Sequence, residues 1–234
     1  MTQWTGPWAW IYTDWNDIYF AADPQGEKHL FYYSDQNCTI ISSEIQPILR
    51  YVSPRVYTKN TSNKHYSIIE HTPWKNLFKT KPGVMYKNCK KHKIIDSLDW
   101  WTKQKYELSY EHAVDDLCKI LESVTGEIRP REKFSLSYSG GLDSSILKYF
   151  YPESSSATVV TERDFVSNRI HTDFRAYTTS EEWAKNFDTT VDKLHLPLLS
   201  WSLVNWNTIT ENIDNRIIVN GNGADELFGG YSDY

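Results

Sequence analysis

The sequence predicts an α/β protein in two parts: a strand-rich region over residues 1–105 and a parallel-sheet region over residues 106–234. Three observations predict it. Short aromatic and β-branched runs recur up to about Trp101, broken by Asp, Asn, Gly and Pro. From Glu107 onward apolar residues return at helical spacing instead. Two glycine-rich turns, around residues 139–145 and 220–230, each follow a hydrophobic strand, the signature of alternating strands and helices over a parallel sheet.

In the first region, "WAWIYTD", "DIYFAAD", "HLFYYSD" and "CTIISSE" read as strands. Pro24 and Gly26 supply turn chemistry between the second and third. "SSEIQPILRYV" reads as a short helix with Ser42 or Ser43 as its cap. Pro82-Gly83 marks a bend that feeds a further strand.

In the second region, Ala113, Leu117, Ile120, Leu121 and Val124 define an amphipathic helix. "FSLSYSGGLDSSILKYF" follows as strand, glycine turn and helix, and a strand is expected at Ala157–Val160. A polar loop then leads to a helix opened by a Thr179/Glu182 capping box, with Trp183, Phe187, Val191 and Leu194 on one face. The strand "RIIVN" runs into the closing motif.

Composition narrows the function classes. The net charge of -5 argues against a broad phosphate-backbone surface, so no nucleic-acid partner is expected. Lys90, Lys91, His92 and Lys93 read as a solvated turn or strand edge. No run approaches a membrane span and Met1-Thr2-Gln3-Trp4 is no signal peptide, which predicts a soluble cytoplasmic protein. Cys38, Cys89 and Cys118 form neither a zinc pattern nor a disulfide framework and are expected to be buried thiols. Trp8, Trp15, Trp74 and Trp100-Trp101 are expected to pack in the core.

Two motifs carry chemistry. In "SYSGGLDSS", Gly140 and Gly141 permit a tight turn whose N–H groups converge with the start of the next helix, a suitable cradle for an oligophosphate. Ser139, Ser144 and Ser145 add hydroxyl donors. No Gly-Lys-Ser/Thr follows, so this is not a Walker A loop. Asp143 would repel phosphate unless a hard cation such as Mg²⁺ lay between them. In "NGNGADELFGG", Asp225 offers a second carboxylate at a turn expected on the same sheet edge.

Together the motifs resemble the asparagine synthetase family, whose synthetase domain belongs to the PP-loop ATP pyrophosphatase group (adenine nucleotide α hydrolase-like). Ser139-Gly140-Gly141-Leu142-Asp143-Ser144 is similar to its pyrophosphate loop. Gly221 to Tyr231 is similar to its Gly-Glu-Gly-Ala-Asp-Glu-Leu-Phe-Gly-Gly-Tyr, with Asn222 in place of the glutamate. The region before residue 105 resembles the later part of the family's glutaminase domain, an Ntn-hydrolase-like fold. The resemblance implies adenylation of a carboxylate, aspartate in the family, by ATP with release of pyrophosphate, followed by attack of ammonia. It implies that Asp143 and Asp225 hold Mg²⁺, that residues 139–145 hold the pyrophosphate, and that Tyr138, Val159, Asn220 and Gly221 border the nucleotide.

The departures from the family are specific. An amide at Asn222 cannot accept a proton from the attacking amine as glutamate can, so the second half-reaction is expected to suffer more than the first. Tyr138 and Asn220 stand where the family usually has leucine and serine. The catalytic cysteine segment of the glutaminase and the helices beyond Gly-Gly-Tyr have no counterpart, which predicts a truncated or split enzyme completed by another polypeptide. Other readings are an adenylating ligase with a different acceptor, as in β-lactam or macrolactam-forming relatives, and a non-catalytic nucleotide-binding subunit. The acidic charge and the lack of paired cysteines count against a tRNA-modifying PP-loop enzyme.

Overall fold

Alternation between the two faces of a strand explains how the aromatic runs of the first region are buried. In the computed structural model, which describes residues 6–56, 70–94, 107–161, 171–194 and 202–230, the chain divides into two compact units. One comprises Met1–Tyr106 with Asp192–Leu199, the other Glu107–Val191 with Ser200–Tyr234.

The first unit contains β1 (Ala9–Thr13), β2 (Ile18–Ala22), β3 (Phe31–Ser34), β4 (Thr39–Ser42), α1 (Ile45–Val52), β5 (Leu77–Lys79), β6 (Val84–Lys87) and β7 (Lys90–Ile94). Two antiparallel sheets result, ordered β1-β2-β6-β7 and β4-β3-β5. In β3 the side chains alternate between two clusters. Tyr32 joins Phe20, Leu30, Val84 and Tyr86, where the Phe20 and Tyr86 rings stack at 5.0 Å. Phe31 and Tyr33 join Ile45, Ile48 and Leu77 under α1. The three-stranded sheet is thus the middle layer, with the four-stranded sheet on one face and α1 on the other.

The turn at Pro24 and Gly26 is organised by a residue the turn chemistry did not single out. Asp23 is fully buried, and its carboxylate accepts from the N–H groups of Glu27 (3.1 Å) and Lys28 (2.7 Å). The lysine run forms β7 at a sheet edge, where Lys91 pairs with Glu70 at 2.7 Å. Three expectations are corrected here. Ser42 does not cap α1: its hydroxyl accepts from Glu44 N–H ahead of the helix, and Glu44 is the cap residue without a side-chain bond. Trp15 lies on the surface, fully exposed at a turn between β1 and β2. Trp74 packs against the α1 cluster and Trp8 is half-buried, while Trp100 and Trp101 lie outside the described residues. Cys38 and Cys89 are half-buried, but Cys118 is exposed.

The second unit contains α2 (Tyr110–Glu127), β8 (Phe134–Ser137), α3 (Leu142–Phe150), β9 (Ser155–Thr161), β10 (Phe174–Thr178), α4 (Ser180–Leu194), α5 (Ser202–Asn212), β11 (Ile217–Val219) and α6 (Ala224–Phe228). One sheet runs in the order β10-β9-β8-β11, every pair parallel. Ala157 and Val159 of β9 pack with Ile209 of α5.

The helix starts follow local chemistry. Ser109 accepts from His112 N–H at the start of α2. At α4, Thr179 N–H donates to Glu182 and Glu182 N–H to the Thr179 hydroxyl, a reciprocal capping box. On α2 only Thr125 is buried, while Leu117, Ile120 and Val124 of the expected core stripe are exposed. Phe174–Thr178, expected within a polar loop, is β10; Arg175 and Tyr177 on this edge strand mask its pattern. Among the described residues no helix is long and apolar enough to cross a membrane.

Candidate functional site at the switch point of the parallel sheet

The strand order itself locates the site. From β8 the chain steps to β9 and then β10 on one side, and it returns as β11 on the other side of β8. The order therefore reverses between β8 and β11, and open α/β sheets bind ligands at the carboxyl end of such a point. Ile217, Ile218 and Val219 pair with Phe134, Ser135 and Leu136, so the two strands finish side by side. Each then enters a glycine motif.

On the β8 side, Tyr138 N–H still reaches Ala157 O of β9 at 2.9 Å. Gly140 turns the chain with φ 76°, and Gly141 is the cap residue of α3. Helix geometry leaves the N–H groups of Leu142, Asp143 and Ser144 without acceptors inside the helix. The Ser139 hydroxyl accepts from Gly141 N–H (3.3 Å) and lies 3.3 Å from the Ser144 hydroxyl, which donates to Gly141 O (3.1 Å). Ser144 is buried; Ser139, Gly140, Gly141 and Leu142 are exposed, and Asp143 and Ser145 are half-buried.

On the β11 side, Asn220 Oδ1 accepts from Asn222 N–H at 2.9 Å and shapes the turn. Gly223, at φ 95°, precedes α6, which carries Asp225 in its first turn. Asn222 is exposed and Asp225 half-buried. The two motifs meet at Gly221. A Cβ added there would stand 3.0 Å from Asp143 Cβ, 3.5 Å from Asp143 C and 3.6 Å from Ser144 N. The second turn is thus seated on the start of α3.

The structure brings Tyr138, Ser139, Gly140, Gly141, Leu142, Asp143, Ser144, Ser145, Asn220, Gly221, Asn222 and Asp225 to the turns that end β8 and β11. Val159 instead lies within β9, where its side chain belongs to the packing with Ala157 and Ile209. Tyr231 lies outside the described residues. Gly230 is the member of the site that sequence reading passes over, because nothing in a Gly-Gly pair tells which glycine is touched by another residue.

The donor chemistry suits a hard cation that arrives with phosphates. Mg²⁺ takes one or two carboxylates from a protein and completes its shell with phosphate oxygens and water. Asp143 and Asp225 are two such carboxylates. Among the described residues no group of three His, Cys, Asp or Glu could hold an ion.

Fold and site together define a parallel-sheet α/β domain with an anion-cradling turn at its switch point. Residues 119–234 match the family described as Asparagine synthase, and through this domain the chain belongs to the asparagine synthase family. No curated protein matches the chain. Ligase chemistry of the ATP-dependent, amide-forming kind follows from that membership in general.

Proposed function

We propose that the chain acts as an asparagine-synthase-type ligase that adenylates a substrate carboxylate, aspartate being the first choice, and passes the acyl group to ammonia. One observation carries the reading: two glycine motifs end neighbouring parallel strands at the switch point, and Gly221 of one rests on Asp143 of the other. The carboxylate oxygen attacks the α-phosphorus of ATP, the bond to the bridging oxygen breaks, and pyrophosphate leaves. The amine then displaces AMP from the acyl-adenylate.

In this scheme the turn over 139–141 and the first N–H groups of α3 receive the leaving pyrophosphate, which fixes its position and disperses its charge. Asp143 and Asp225 would hold Mg²⁺, which neutralises part of that charge when bound. Asn220 and Gly221 border the nucleotide from the β11 side. Residues 1–105, with their antiparallel sheets, are proposed to derive from a glutaminase-type domain.

A second reading rests on Asn222. Its side chain is exposed beside the site and offers no carboxylate to take up the amine proton. That favours a ligase whose acceptor brings its own base or nucleophile. The test is pyrophosphate release from Mg·ATP with aspartate and ammonium, with Asp143→Ala as control. Aspartate-dependent release that Asp143→Ala abolishes is expected. Accumulation of asparagine supports ammonia as acceptor; release without asparagine favours the second reading, and no release from folded protein sinks both.

A further inference from the structure

We propose that Gly230 is a positioning residue for the Asp225 carboxylate; the inference rests on reading Asp143 and Asp225 as the cation-holding pair. The chain turns back after α6 so that Gly230 N–H donates to Asp225 O at 3.0 Å. The Asp225 side chain lies over Gly230 on the same turn. A Cβ at 230 would fall on Asp225 Oδ1 and stand 2.9 Å from its Cγ and 3.2 Å from its Cα. No such contact is tolerable for carbon.

The neighbouring glycine makes the contrast. Gly229 has φ 66° and nothing within 4 Å of a would-be Cβ, so it is glycine for its backbone. Gly230 has no left-handed φ, so its backbone suits any residue. What excludes a side chain there is the space that the carboxylate occupies. Asp225 is therefore held twice, its carbonyl by the Gly230 N–H and its carboxylate against the bare Gly230 Cα. A carboxylate already confined to one orientation loses less freedom when it binds a cation. Gly230 sets that orientation through Asp225.

The test uses the whole chain and three variants: Gly230→Ala, Asp225→Ala and the double variant. Calorimetric titration with ATP, in Mg²⁺ and in EDTA, separates the cation-dependent part of binding from the rest. Thermal melting without nucleotide or metal reports the contact alone. Gly230→Ala should weaken binding in Mg²⁺ by about ten-fold or more, leave binding in EDTA unchanged, and melt below the double variant, where removal of the carboxylate makes room. The double variant should bind no more weakly than Asp225→Ala.

Wild-type Mg·ATP binding by Gly230→Ala, with Asp225→Ala impaired, overturns the role of Gly230 alone. Losses that add in the double variant overturn it too. Asp225→Ala without effect in Mg²⁺ overturns the cation reading and this inference together. Should Gly230→Ala fail to fold, recovery of folding in the double variant supports the contact, and failure of both overturns it.

Discussion

Gly221→Ala is the substitution that most directly tests whether the two motifs form one site. The added Cβ would lie 3.0 Å from Asp143 Cβ and 3.5 Å from Asp143 C. Carbon atoms rest comfortably at about 3.5–4.0 Å, so the start of α3 must withdraw by roughly 0.5–1 Å from the turn after β11. Overpacking of this kind costs about 1–3 kcal/mol where the surroundings resist. Where they yield, a shift near 1 Å at a catalytic group costs on the order of 100-fold in rate. The assay is pyrophosphate release at saturating Mg·ATP and aspartate, with thermal melting beside it. Gly126→Ala is the internal control: it sits in α2 with nothing within 4 Å of a Cβ. That change should raise stability by about 0.4–1 kcal/mol. Wild-type rate and melting temperature in Gly221→Ala would refute the claim that the second turn is seated on Asp143.

Three further predictions concern the scaffold. Thr179→Ala removes one arm of the capping box at α4 and should cost about 1 kcal/mol in denaturant unfolding; no change would mean that Glu182 N–H finds an equal partner. Asp23→Ala leaves the N–H groups of Glu27 and Lys28 without their acceptor and should cost about 1–3 kcal/mol by the same measurement, and a neutral result would remove Asp23 as organiser of that turn. Burial, with Lys79 and Lys28 adding to it, depresses the His29 pKa from 6.5 to about 4. The unfolded chain takes up that proton near pH 6.5 while the folded chain refuses it until about pH 4. The stabilisation is therefore complete above pH 6.5 and is lost as pH falls to about 4, by at most about 3 kcal/mol. His29→Phe should flatten that part of the stability profile, and an unaltered profile would show that His29 stays as accessible to protons in the fold as out of it.

The elements that the sequence by itself determined are those governed by neighbours along the chain. The β-branched and aromatic runs become β1 to β4 because alternation suits a pleated, two-faced strand. Gly140 marks the turn before α3, and Thr179 with Glu182 marks the start of α4, because positive φ and capping are local requirements. The two motifs were legible for the same reason, and with them the asparagine synthase family.

Tertiary structure decided what depends on distant neighbours. β10 was hidden because Arg175 and Tyr177 on an edge strand need no apolar alternation; pairing with β9 makes it a strand. α5, rich in Asn and Thr with weak helix propensity, is held by burial of Val204, Asn207, Thr208 and Ile209. Trp15 reached the surface and the apolar stripe of α2 stayed exposed, since periodicity states which residues share a face but not what covers it. The seat of Gly221 on Asp143 and the contact of Gly230 with Asp225 likewise arise only when the chain returns. Asp143 and Gly221 are far apart in sequence, and the placement of β11 beside β8 is what makes them neighbours.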